Sequence, residues 1–407
     1  MTEQALASRS GSYTVPILAM VACQCGLHAC MGGMRVALPL QALQLGASKL
    51  SIGVLVSCFA VFPALMALRF GVYTDRNGYR LPALMAASLS ACGALSAWAA
   101  SSLWLMFLAA GLCGTGSGFG MIAIQRAASR QAMSREKRLQ VFSLVALAPA
   151  LGGLFGPLAT GRVIDVWGFS TAYLVLAVLP LISVLIASRV ELAGGETVAA
   201  SAKSNFKSSL GLLKLISLRR VMVLNLLIVA SWDLHGFALP ILGHERGFSA
   251  TEIGAIFAAY GGASLIARGV LPFVAERFAH QYLPLAAMVL LVLLFAVYPL
   301  LPLPWLMMLA SAIFGVIVGT VQPTIMLLLH ESVPDKRYGE ALAIRSMCNQ
   351  ISITVLPLLY GVFGVFMGVA TMFWLMAVLL SAGVVAALKL ITQNNNGRES
   401  LSSEKIL

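Results

Sequence analysis

Gly71-Val72-Tyr73-Thr74-Asp75-Arg76-Asn77-Gly78-Tyr79-Arg80 is a polar, glycine-punctuated decapeptide between two long apolar runs. Gly78 can take φ > 0 without a Cβ clash, and with Gly71 it allows a very tight turn between two helices. Asp75 beside Arg76 makes a charge pair at a helix boundary, where an acid can also meet the positive end of another helix. Arg76 and Arg80 would hold such a loop on the cytoplasmic side of a membrane.

Composition agrees with a membrane setting. Of the 407 residues, 59% are hydrophobic and 10% charged, whereas soluble domains carry about 25% charged residues. Mean hydropathy is +0.91. The net charge of +12 is not gathered on a soluble segment, so it reads as membrane topology and indicates no nucleic-acid partner. The seven cysteines, Cys23, Cys25, Cys30, Cys58, Cys92, Cys113 and Cys348, all fall within apolar runs and suggest no disulfide framework. The first apolar run begins near Tyr13 and is too long for the core of a cleavable signal peptide.

A membrane-spanning helix needs roughly 20 residues. The apolar runs divide accordingly into about twelve segments, near 14–40, 49–70, 81–99, 103–128, 140–162, 169–189, 220–243, 251–271, 282–301, 304–329, 340–363 and 369–390. The expected organisation is an N-tail (1–12), a six-helix half (13–189), a polar linker (190–219), a second six-helix half (220–390) and a C-tail (391–407). Both tails are polar enough to be disordered. The odd-numbered connections carry only Lys49, Arg162 and Arg246, while the even ones and the tails carry nearly all other basic residues. The positive-inside rule then places both termini and the linker in the cytoplasm, with the chain in a bacterial-type inner membrane.

The halves repeat. A shift of 201 residues lays Ala37-Leu38-Pro39-Leu40 on Ala238-Leu239-Pro240-Ile241, Gly46 on Gly247, Ser48 on Ser249 and Asp75-Arg76 on Glu276-Arg277. A shift of 200 puts Pro157, Gly161 and Gly168 on Pro357, Gly361 and Gly368. Chance hydrophobic similarity would match leucines and alanines, but hardly prolines, glycines and an acid–arginine pair in register.

The decapeptide, G-x-x-x-D-R-x-G-x-R, resembles the signature of the major facilitator superfamily in the loop between its second and third spans. The resemblance covers about residues 13–390 and implies an all-α membrane protein. Its twelve transmembrane helices would form two parallel six-helix repeats around a central cavity. It further implies a latch at Gly71, Asp75, Arg76, Gly78 and Arg80, with Arg76 and Arg80 partnering Asp75, and a degenerate copy at Glu276 and Arg277. In the fifth span, Gly152-x-x-x-Gly156-Pro157-x-x-Thr160-Gly161 is similar to the family's antiporter motif, with Thr160 in place of the first of two closing glycines. That motif points to the drug:proton antiporter branch and to efflux, although glycine-rich membrane helices also pack closely for purely structural reasons. One family feature is missing. Where the fourth span of such exporters carries an arginine, the equivalent stretch Ala110-Gly111-Leu112-Cys113-Gly114 has alanine. A coupling arginine must then come from elsewhere.

Asp233 is the one acid near the middle of a span. Such an acid costs roughly 2.5–3.5 kcal/mol on insertion scales, so it is a candidate proton site, with a carboxylic acid hydrogen-bonded for helix packing as the alternative. His28 and Arg35 lie seven residues apart on one face of the first span, and the repeat maps Asp233 onto Gly32 between them. His28 could also be a satisfied interior histidine, and Arg35 a residue that snorkels to the interface. Trp232, His235, Gln125, Gln322, Asn349 and Gln350 are further cavity candidates, His235 pointing to a different face from Asp233. Arg126 and Arg345 sit closer to cytoplasmic span ends, where anchoring is the simpler reading.

Cys23, Cys25, His28 and Cys30 offer the residue types of a soft-metal site, but Cys23 and Cys25 point about 200° apart on a helix. Two ligands from the remainder are too few for tight zinc binding, so no metal or cofactor is expected. The function expected is secondary active transport, with proton uptake driving efflux of a small organic molecule and a monomer sufficing. Export of a made metabolite such as a siderophore, import of an organic anion, and a non-transporting receptor remain alternatives. No nucleophile–base, metal or nucleotide motif suggests an enzyme.

Overall fold

The computed structural model describes residues 3–131, 135–189, 211–274, 282–334 and 337–404. Helix α1 covers Glu3–Gln44, α2 Lys49–Asn77, α3 Arg80–Trp98 and α4 Leu103–Gln131. One helical run, Arg135–Arg189, breaks at Gly168 (φ 80°, ψ 175°) and so forms α5 (135–167) and α6 (169–189). A 3₁₀ turn at Gly211–Lys214 precedes α7 (Ile216–Glu245), α8 (Ala250–Val274), α9 (Leu283–Val297), α10 (Pro304–Glu331), α11 (Tyr338–Met367) and α12 (Val369–Glu404). Among the described residues, ten helical runs are long and apolar enough to cross a membrane. One of these, Leu147–Arg189, has 43 residues, enough for two spans across the Gly168 break.

The duplication is written into the backbone. Gly46 (φ 75°) ends α1 and Gly247 (φ 72°) ends α7, the two positions related by the 201-residue shift. Each turn closes with the same six-to-one bond, Ala47 N to Ala42 O at 2.9 Å and Phe248 N to Gly243 O at 2.9 Å. This is the left-handed glycine stop of a Schellman motif. The next helix then starts on an equivalent cap. Ser48 Oγ accepts from Ser51 N at 3.1 Å, and Ser249 Oγ from Glu252 N at 3.2 Å. Gly168 (φ 80°) and Gly368 (φ 77°) repeat at a spacing of 200.

Two compact units result. One comprises Met1–Ala200 with Leu239–Gly261, the other Ser201–Ala238 with Gly262–Leu407. The first unit thus takes the end of α7 and the start of α8 as well as α1–α6. The Lys49 ammonium pairs with Glu245 at 2.8 Å, joining the start of α2 to the end of α7. The Asp165 carboxylate lies at the end of α5, in the connection between the fifth and sixth apolar spans. It accepts from Ala250 N (3.0 Å) and Thr251 N (2.7 Å), the open amides at the start of α8. Burial alone would raise this carboxyl, but the bonds from Thr251, Ala250 and Ser249 outweigh it and hold its pKa below the ordinary value.

In the second unit α9 packs on α12, with Tyr298 stacked on Phe373 (centroids 5.0 Å apart, planes at 6°) and the Trp374 indole donating to Ala296 O at 3.1 Å. The segments expected as disordered tails differ from that expectation. Helix α1 begins at Glu3 and α12 runs to Glu404. Residues 391–404 contain no proline to stop a helix already nucleated in the apolar span.

Candidate functional site

At the opening decapeptide, Gly78 (φ 70°) caps α2 and turns the chain into α3. Asp75 forms an ion pair with Arg126 of α4. Gly71 lies beneath that arginine, since a Cβ added there would fall 2.8 Å from Arg126 Nη2. The spacing of Gly71 and Asp75, one turn apart, therefore gives the arginine both a path and an acceptor. The pairing differs from the expected one, in which Arg76 and Arg80 served Asp75 and Arg126 merely anchored the span. Arg76 and Arg80 are exposed instead. Glu276 and Arg277 lie outside the described residues.

A second polar cluster forms deep in the other unit. Arg345 of α11 donates through Nε to Asn225 Oδ1 (2.8 Å) and through Nη2 to Gln322 Oε1 (2.9 Å). The Asn225 amide donates in turn to Asn349 Oδ1 at 2.7 Å. Arg345 lies seven residues into α11 and Asn225 nine into α7, about 10–14 Å along their helices. Arg345, expected as an interfacial anchor, is thus bonded to side chains of two other helices. Asn225 is fully buried. Among the described residues the guanidinium has two amide acceptors and no carboxylate partner.

The same two helices carry Asp233. It is 7% exposed on α7, and Ser352 of α11 donates its hydroxyl to Asp233 Oδ2 at 3.1 Å. Asn225 and Asp233, eight residues apart on α7, and Arg345, Asn349 and Ser352 on α11 thus make one polar seam. Tyr360 extends it by donating to Ala230 O at 3.0 Å. His235 points elsewhere, as its two-residue offset from Asp233 requires. It is fully buried, with Nε2 2.9 Å from Ser311 Oγ and 3.1 Å from Tyr298 Oη, beside the Phe314 ring. Trp232 stacks on His235 with centroids 6.2 Å apart. Gln125 and Gln350 are exposed.

In the first unit, His28 Nδ1 is 2.7 Å from Gln24 Nε2, and Gln24 also donates to Ser117 O at 3.3 Å. The buried Gln24 is the repeat partner of Asn225 at the 201-residue shift, a match of two amides that sequence reasoning had passed over. Arg35 lies over the Phe59 ring at 5.6 Å, a cation–π contact. Among the described residues no cluster of three or more His, Cys, Asp or Glu could hold a metal ion.

The glycines of the fifth-span motif set close helix approach. A Cβ on Gly152 would lie 2.7 Å from Ala29 N, and one on Gly156 would lie 3.0 Å from Ala29 C and inside contact of its carbonyl oxygen. Gly161 meets α8 in the same manner, with Ala250 C 2.7 Å from such a Cβ. Pro157 also takes part, its Cδ lying 3.3 Å from where a Cβ on Gly32 would sit.

Known proteins share this architecture. The model of the Major Facilitator Superfamily matches residues 20–231 and again 221–405. No curated protein sequence matches the chain. Among solved structures, the inward-facing, occupied form of a bacterial homolog of the human lysosomal transporter Spinster aligns over 92% of this chain and 96% of its own, at TM-score 0.74 and 11% identity. The nucleoside transporter NupG, in a point-mutant form, aligns over 93% and 100% at TM-score 0.75 and 13% identity. A POT family transporter in complex with 5-aminolevulinic acid aligns over 92% and 95% at TM-score 0.73 and 13% identity. At these identities the likeness is one of fold, and the two family matches cover the helices of both halves. The chain belongs to the major facilitator superfamily and is a multi-pass membrane transporter.

Proposed function

We propose that this chain exports small organic molecules in exchange for protons, by alternating access of its two halves. Asp233 is the observation that carries the reading: a carboxyl 7% exposed at the middle of α7, bonded by a serine hydroxyl of α11. A buried acid with a hydroxyl partner can exist protonated or ionised, and its energetic cost at that depth calls for a use. His28 and Arg35 would contribute from α1. The residues around Arg345 and Asn225, including Gln322 and Asn349, would hold the substrate, with Trp232, His235, Gln125 and Gln350 as lesser contributors. Asp75 with Arg126, aided by Arg76 and Arg80, would act as the latch, with Glu276 and Arg277 as its counterpart. The Gly152, Gly156, Pro157 and Gly161 motif supports exchange over uptake. The protein would work as a monomer in a bacterial-type inner membrane with both termini cytoplasmic.

A second reading rests on Arg345. A guanidinium held by neutral amides keeps its full positive charge available, which favours a substrate with a carboxylate or phosphate and admits an organic-anion importer. Purified protein in vesicles decides between them. A panel of lipophilic dyes and small organic acids is offered under imposed pH gradients of each sign. Export in exchange for protons predicts substrate movement opposite to the proton flow. Movement with it would make the chain a symporter, and movement unaffected by the gradient would remove the proton altogether.

A further inference from the structure

We propose that the groove between the start of α7 and the end of α12 binds the phosphate headgroup of an anionic phospholipid. The groove measures about 360 Å³ and is lined by Ile216, Arg219, Arg220 and Val223 of α7 with Val385 and Lys389 of α12. Arg220 donates from Nη1 to Lys389 O at 2.9 Å, which ties the two helices and fixes the groove's width. Arg219 and Lys389 are exposed and form no ion pair among the described residues. Three cations therefore face one shallow concavity with no acid paired to two of them.

The order of residues along the helices is that of a phospholipid. Val223 lies four residues beyond Arg219 on α7 and Val385 four before Lys389 on α12, so each valine sits about 6 Å further into its span than that cation. They are 42% and 50% exposed, and Ile216 is 52% exposed. Apolar side chains left open at that depth face hydrocarbon. A headgroup phosphate among the cations thus leaves its acyl chain against the valines, an arrangement from which a soluble phosphate gains only the charge. Basic pockets between helices at this end of a membrane protein suit anionic headgroups.

The test uses the full-length protein in detergent, with phosphatidylglycerol as probe and phosphatidylcholine and inorganic phosphate as controls. Native mass spectrometry counts retained lipid, and thermal unfolding reports stabilisation. Phosphatidylglycerol should be retained in preference to phosphatidylcholine and should raise the midpoint where inorganic phosphate does not. The double variant Arg219→Gln/Lys389→Gln should bind phosphatidylglycerol about 30-fold more weakly, at roughly fivefold per cation, with an unchanged midpoint in phosphatidylcholine. If the double variant does not fold, Lys389→Gln alone should show the fivefold loss, and the wild-type lipid preference stands as an independent readout. Equal retention of both lipids, undiminished phosphatidylglycerol binding by the variants, or equal stabilisation by inorganic phosphate would each overturn the proposal.

Discussion

Replacing Gly156 with alanine tests the helix packing beneath the fifth-span motif. The new Cβ would lie 3.0 Å from both the carbonyl carbon and the Cα of Ala29 on α1, and closer still to its oxygen. These are backbone atoms, so no rotamer change can relieve the contact, and α1 and α5 must part by several tenths of an ångström or more. Overpacking of this kind costs about 1–3 kcal/mol. For a body of about 200 residues each kcal/mol moves a thermal midpoint by roughly 2–4 °C, so the variant should melt about 5 °C lower. Gly153 supplies a control three residues away, because a Cβ there meets nothing within 4 Å. Gly153→Ala should be neutral or slightly stabilising, since alanine outranks glycine in a helix by up to about 1 kcal/mol. Both variants are followed by tryptophan fluorescence on heating in the same detergent. Equal midpoints for the two alanine variants would refute the close-approach argument.

Three further outcomes follow from the geometry. Arg345→Met keeps the length and removes the charge. It should weaken binding of anionic substrates at least tenfold, read by equilibrium binding, while neutral ligands change far less. Gly71→Leu should drive the Arg126 side chain off its path to Asp75 and alter the balance of inward- and outward-open forms, read by spin-label distances across the bundle; an unchanged distance distribution would contradict the latch. Asp165→Asn should cost about 0.5–1 kcal/mol by weakening the cap on α8. The wild-type carboxyl titrates below its ordinary value, so its contribution is present at neutral pH and fades only as acidification passes below about pH 4. The asparagine variant should lack that acid limb in a pH series of midpoints.

The repeat was legible because turn glycines and cap serines carry their own conformational demands. Gly46 and Gly247, or Ser48 and Ser249, need no distant partner to declare a turn and a helix start. The offset between Asp233 and His235 was equally readable, since helical periodicity alone sends them to different faces. The Arg345 cluster was not. Its members stand at 225, 322, 345 and 349 on three helices, and nothing local to any of them requires that they meet. The pairing of Asp75 with Arg126, 51 residues apart, was hidden for the same reason, with Arg76 adjacent to the acid in sequence. Gly71 held the missing signal, because a small residue one turn before an acid leaves room for a long cation from another helix.

Proton coupling through Asp233 is the centre of the functional account, and one comparison addresses it directly. Wild type and Asp233→Asn are reconstituted in vesicles, and each is assayed for gradient-driven accumulation and for substrate counterflow with no gradient. The Asn side chain keeps the size and an acceptor for the Ser352 hydroxyl but cannot carry a proton. The account predicts that the variant retains counterflow and loses accumulation. Accumulation at the wild-type level in the variant would contradict it.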